Sequence, residues 1–198
     1  MLIKCKGEKP LKPDNIILFD LDGTLCDYDA ALLRSLEELR APEEDIISTL
    51  PRKNTPKYLK ARMDLIRSKA GWWAGLKKFK LGMDIWETAG SLECQRTILT
   101  QGPKKNPKSW MGKKMWVDAN LGEDVDITIT RNKGRVYGKI LVDDYQDYIE
   151  EWLKWRPRGL VIMPAHDHNK YLKHPQVIRY TGMNLPEVSM AMIKKFGG

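Results

Sequence analysis

The chain has 198 residues, 42% apolar and 30% charged, with a formal net charge of +8. That size and balance fit one soluble globular domain with a modest insertion, and exclude a disordered or low-complexity chain. Cys5, Cys26 and Cys94 are too few and too scattered for a disulfide framework or a zinc site, and no apolar run approaches the ~20 residues of a membrane span.

A reduced, cytoplasmic compartment is therefore expected. Met1 to Asn15 is polar and Lys-rich, which does not read as a signal peptide. The positive charge invites an anionic partner. It is spread over Lys4 to Lys12, Lys77 to Lys80 and Lys104 to Lys114 with no arginine-rich arm. A solvated basic surface is the reading preferred to a polynucleotide groove.

The first element is Ile16-Ile17-Leu18-Phe19, whose apolar run reads as a buried central strand. Asp20 and Asp22 follow, then Gly23-Thr24-Leu25. Carboxylates at i and i+2 of an extended segment point the same way, so a cation or a proton is needed between them. The plainer alternative is a strand that ends in a solvated acidic turn.

Asp27 to Arg40 has helical periodicity, with Ala31, Leu32, Ser35, Leu36 and Leu39 on one face, and Pro42 ends it. A second short helix is predicted over Glu43 to Leu50, stopped by Pro51. A third starts at Thr55-Pro56, a capping hydroxyl before an N-terminal proline, and Gly71 closes it. Met83 to Gly90 is one more helix. No strand pattern interrupts this span, which holds more helix than a crossover needs.

Trp72-Trp73 sits beside Gly71. The pair could pack the insertion onto the core, or form a slot that stacks a nucleobase.

Arg96 to Thr100 reads as a short buried strand ending in the hydroxyl of Thr100 and the turn Gln101-Gly102-Pro103. Ser109 to Leu121 is helical. Val125 to Thr130 alternates as a half-buried strand and runs into Arg131-Asn132-Lys133. Gly138 to Val142 is a strand closed by Asp143-Asp144. An amphipathic helix spans Tyr145 to Trp155, and Gly159 to Pro164 is another buried strand. His166-Asp167-His168-Asn169 follows it and reads as a loop at the site in preference to a metal centre. Gln176 to Tyr180 and Asn184 to Phe196 close the chain as strand and helix. Alternating strands and helices predict an α/β fold, a Rossmann-like parallel sheet with helices on both faces.

Asp20-Leu21-Asp22-Gly23-Thr24-Leu25 matches at every position the first motif of the haloacid dehalogenase-like phosphohydrolases, which the chain resembles. Thr100, Lys133 and Asp143-Asp144 resemble the second, third and fourth motifs, in the family's order. The resemblance implies a core of residues 1–28 and 92–198, with residues 29–91 inserted after the first strand as a small helical cap. It implies that Asp20 is the nucleophile and Asp22 the general acid/base, and that Thr100 and Lys133 hold the phosphoryl group. Mg²⁺ would lie between Asp20, the backbone carbonyl of Asp22, and Asp143 or Asp144.

Lys139 competes for the lysine role, but it would start a strand whose far end carries the aspartates. Thr130-Arg131-Asn132-Lys133 is similar to a Thr-Arg-Asp-Lys string of the 5'(3')-deoxyribonucleotidases, and the His-Asn pair at 168–169 has a counterpart there. That resemblance implies a nucleoside monophosphate substrate, with Trp72, Trp73, Gln101 and Arg131 as binding residues. Gln101-Gly102 departs from that subfamily, which places a small hydroxyl residue and a proline directly after the threonine. A polynucleotide 3'-phosphatase and a catalytically dead binding protein are the alternatives, and a homodimer is among the assemblies to consider.

Overall fold

The structure is a computed structural model and describes residues 14–52 and 54–197. Cys5 and the Lys-rich stretch before Asp14 lie outside the described residues. Six strands form one sheet: β1 Ile16–Phe19, β2 Gln95–Thr100, β3 Ile127–Ile129, β4 Ile140–Val142, β5 Leu160–Pro164 and β6 Val177–Tyr180. Their order is β3-β2-β1-β4-β5-β6, and every pairing is parallel.

β1 is fully sandwiched, which explains its unbroken apolar run. Ile17 and Phe19 join a cluster on one face, while Leu18 joins a second cluster on the other. The first face is covered by α4 (Lys80–Gly90), α5 (Pro107–Leu121) and α7 (Leu185–Lys195), through Ile85, Trp86, Trp116, Val188 and Met192. The second is covered by α6 (Gln146–Trp155), which buries Ile149, Trp152 and Leu153 against Leu99, Leu141 and Val161. Helices thus lie on both faces, as the sequence predicts.

Between β1 and β2 come α1 (Tyr28–Glu37), α2 (Lys57–Arg67), α3 (Ala70–Ala74) and α4. Two groupings are distinct within this span. Leu32, Leu36, Leu50, Leu59 and Ile66 form a small core of their own under α1 and α2. Trp73, Leu76 and the inner face of α4 belong to the sheet's core.

Three local expectations differ from what is found. Glu43 to Leu50 is irregular rather than helical. Its backbone is held by Glu44, which accepts from the Ala41 amide and from both Arg62 nitrogens, while its carbonyl accepts from Arg40. Such side-chain bonds give the backbone an alternative to the helix ladder. At α2 the Thr55 hydroxyl donates to the Pro51 carbonyl, 3.3 Å away, and makes no cap. Gly71 does not end that helix. α2 stops at Arg67, whose carbonyl accepts from the Trp73 indole at 2.8 Å and the Asn106 amide at 2.6 Å, and Gly71 lies inside the new turn α3. Among the described residues no helix is long and apolar enough to cross a membrane.

Candidate active site

The strand order reverses around β1, so the crevice beyond the C-terminal ends of β1, β2 and β4 is where this sheet type places ligands. Three chain segments meet there. Phe19 pairs with Val142, and the Asp20 amide donates to the Val142 carbonyl at 2.9 Å, so Asp20 and Asp143 leave their strands side by side. Thr100 ends β2 fully buried.

Lys133 is brought to this point by a single 3-10 turn, Lys133–Arg135, and is 1% exposed. Its ammonium lies 2.6 Å from Asp143 Oδ2 and 2.9 Å from Asp20 Oδ1. Burial alone would lower its pKa, but the two carboxylates reverse that and raise it well above the ordinary lysine value, so it stays charged. The Tyr148 ring covers it at 4.6 Å. Lys139, the rival lysine, bonds Asn15 at the opposite end of β1.

Asp22 turns toward a lysine that belongs to none of the four motifs. Lys113 of α5, 2% exposed, donates to Asp22 Oδ2 at 2.7 Å, Thr100 Oγ1 at 2.8 Å and the Gln101 carbonyl at 2.7 Å. All three bonds are charge-assisted, and they tie the first motif to the second. Burial raises the Asp22 pKa, Lys113 opposes it, and the charge on Asp20 adds to the rise. The signal for Lys113 was periodicity. It shares a helix face with Ser109, Gly112, Trp116 and Val117, all buried, in a stretch read as solvated lysines.

Asp144 has a partner on each carboxylate oxygen. Thr24 Oγ1 donates to its Oδ1 at 3.1 Å and His168 Nε2 lies 3.1 Å from its Oδ2, while Asn169 donates to its backbone carbonyl. Burial would raise its pKa, but the His168 bond and the charges of His166, His168 and Lys133 lower it instead. Gly23, at φ +80°, lets the carboxylate approach. A Cβ there would stand 2.6–2.8 Å from the Asp144 carboxylate atoms.

Asp20, Asp143 and Asp144 place oxygens within 4.8 Å of one another. One ammonium, Lys133, faces the three. Beyond its ion pair with Lys133, Asp20 Oδ1 receives no hydrogen bond, and Asp22 Oδ1 receives none either. Clustered hard oxygens in excess of positive charge, with unsatisfied lone pairs, fit a Mg²⁺ ion. His166 and His168 group with Asp29 rather than with Asp167. Arg52 already bridges Asp29 and His168 Nδ1, and the two imidazoles are stacked at 23° with centroids 5.0 Å apart. His166 Nε2 lies 2.6 Å from the Gly23 carbonyl and His168 Nε2 3.1 Å from Asp144 Oδ2, so these ring nitrogens are engaged in the site's own contacts.

A cavity of about 300 Å³ opens above the carboxylates. Asp20, Asp22, Asp144 and Gln101 line it from the core; Tyr28, Asp29, Arg52, Met63 and Arg67 line it from α1, α2 and the loop between them. Trp73 reaches it at one edge, its ring stacked on Tyr28 and its indole bonded to Arg67. Trp72 does not line it. That indole donates to Ser35 and packs edge-on against Tyr28 and Trp73. Arg131 lies in a neighbouring groove instead. The aromatic surface facing the cavity is largely Tyr28, Tyr145 and Tyr148, the last of which donates to Gln101 Oε1.

No family model matches the chain. Over 178 residues it is 28% identical to the human 5'(3')-deoxyribonucleotidase of cytosolic type, covering 82% of this chain and 86% of that protein. Among solved structures, a HAD family hydrolase from Deinococcus radiodurans with bound phosphate and sodium superposes with a TM-score of 0.53 and 11% identity, over 93% of this chain and 97% of its own. A HAD-superfamily hydrolase from Ehrlichia chaffeensis gives 0.50 at 13% identity, over 96% and 100%. The chain therefore has the fold of the haloacid dehalogenase-like hydrolases, and its sequence is similar to that of a 5'(3')-deoxyribonucleotidase.

Proposed function

We propose that the protein is a Mg²⁺-dependent phosphatase of nucleoside monophosphates, with deoxyribonucleotides as the favoured substrates. One observation carries the reading. Asp20 lies with its carboxylate beside the Lys133 ammonium and the Asp143–Asp144 pair, while Asp22, next to it, is held on a separate lysine. Two neighbouring carboxylates in different surroundings can take different roles.

In this reading Asp20 attacks phosphorus as the ester P–O bond breaks, and an acyl phosphate forms on Asp20. Asp22, whose pKa burial raises, gives its proton to the leaving sugar oxygen. It then takes a proton from the water that attacks phosphorus, which releases phosphate and restores the Asp20 carboxylate. Lys133, Thr100 and the amides after β2 hold the transferring group and the charge that builds on it. Lys113 holds Asp22 and Thr100 in one fixed arrangement. Mg²⁺, held by Asp20, the Asp22 carbonyl, Asp143 and Asp144, would neutralise charge on the phosphoryl oxygens.

The substrate class rests on the similarity to the deoxyribonucleotidase and on the aromatic lining above the carboxylates. In this reading α1, α2 and the loop between them form the cap, with Tyr28 and Trp73 bounding the base. Phosphate release from a panel of ribo- and deoxyribonucleoside monophosphates and sugar phosphates, with Mg²⁺ and with EDTA, tests it. Mg²⁺-dependent turnover of deoxyribonucleotides is expected. Turnover of sugar phosphates alone, or none in any well, would overturn it.

A further inference from the structure

Three hollows on the described surface run into one another. The carboxylate cavity shares Arg67 and Pro103 with a groove of about 720 Å³. That groove shares Lys104 and Arg131 with a third hollow of about 170 Å³, which contains Trp110. Lys60, Arg67, Lys104, Lys105, Lys108 and Arg131 line the groove against a single carboxylate, Asp64. Asp64 is bonded to Lys60 at 2.7 Å and to Arg67 at 2.6 Å. Among the described residues, Lys104, Lys105, Lys108 and Arg131 then form no ion pair. Solvated lysines ordinarily face apart; these converge on one channel that begins at the catalytic cavity.

The far end of the path is built. Trp110 is 42% exposed, and its indole donates to the Pro103 carbonyl at 3.2 Å. The loop after β2 accepts it because residue 102 has no side chain. A Cβ on Gly102 would stand 2.1 Å from Trp110 Nε1 and 2.7 Å from Ile129 Cγ2. Cations followed by an anchored, half-exposed aromatic ring are the parts of a single-stranded nucleic-acid track, since phosphates follow the charge and any base can stack.

We propose that this site takes single-stranded oligonucleotides by a terminal phosphate. The end enters the carboxylate cavity, the following phosphates lie along Lys104, Lys105, Lys108 and Arg131, and a base stacks on Trp110. The proposal rests on the phosphatase reading of the cavity and extends its substrate from monomer to strand. A monophosphate confined to the first hollow has no use for the second.

The test separates the two. Binding of fluorescein-labelled oligo-dT of eight nucleotides, with a 3'- or a 5'-phosphate, is followed by fluorescence anisotropy in EDTA, with thymidine monophosphate as competitor. Turnover of thymidine monophosphate is measured separately with Mg²⁺. The octamer should bind at least tenfold tighter than the monomer, with a log–log salt slope of about −3 for four phosphates at ~0.7 each. K104E/K105E/K108E should lose at least tenfold in octamer affinity, and W110A at least fivefold, while both keep monomer turnover within twofold. An octamer that binds no tighter than the monomer, or equally well to the triple variant, would overturn the strand proposal whatever the turnover shows. Absent turnover of every phosphate would sink the phosphatase reading, and the anisotropy would still judge the groove.

Discussion

The Lys113 ammonium lies 2.7 Å from Asp22 Oδ2, a contact between the first-motif loop and a helix 91 positions further on. Removing the lysine leaves the Asp22 carboxylate, 26% exposed, beside Asp20 with its nearest cation gone. Lys113→Met should therefore cost about 2 kcal/mol of stability, less than breaking a fully buried pair. It should also lower kcat by roughly 10²-fold, because Asp22 loses its fixed position. Denaturant titration and steady-state kinetics check this. A variant with wild-type kcat would show that Lys113 only packs.

The raised pKa of Asp22 has a consequence for stability against pH. Burial raises it from 3.8, so the folded state favours the neutral form. The favourable share is present below 3.8 and is lost as pH rises through the folded value, so ionised Asp22 burdens the fold at neutral pH. Asp22→Asn keeps an acceptor for Lys113 and removes the charge. Because the substitution also leaves the buried Lys113 ammonium without its counter-ion, the test is the pH dependence: the wild-type Tm relative to the variant's should rise as pH falls from 7 toward 4. A wild-type Tm that falls relative to the variant's on acidification would contradict the assignment.

Gly23 carries the approach of Asp144. At φ +80°, with carboxylate atoms 2.6–2.8 Å from any Cβ, Gly23→Ala should cost roughly 1–3 kcal/mol and push the Asp144 carboxylate aside. The Mg²⁺ concentration for half-maximal activity should rise at least tenfold. An unchanged Mg²⁺ requirement would show that Asp144 tolerates displacement.

Much of this was legible in the chain because local patterns and global fold agree. Ile16 to Phe19 reads as a central strand, since both faces of β1 are buried, and Asp143-Asp144 follows an apolar run for the same reason. Lys133 could be preferred to Lys139 because a strand has two ends. What was not legible depends on contacts distant in sequence. Lys113 is buried only because Asp22 and Thr100 face it across the crevice. Trp72 and Trp73 look alike in sequence, but only Trp73 reaches the cavity, since Ser35 and Tyr28 hold Trp72 aside. Arg131 precedes the lysine by two positions but faces the neighbouring groove. Glu43 to Leu50 fails as a helix because arginines of two other segments hold Glu44.

The most direct measurement is turnover of deoxyribonucleoside monophosphates by Asp20→Asn, with circular dichroism to establish that the fold is retained. Asn keeps the size of the side chain and cannot form the acyl phosphate. A folded variant with turnover reduced at least 10⁴-fold is predicted. Turnover near the wild-type rate would mean that Asp20 is not the nucleophile and that the crevice works by another chemistry.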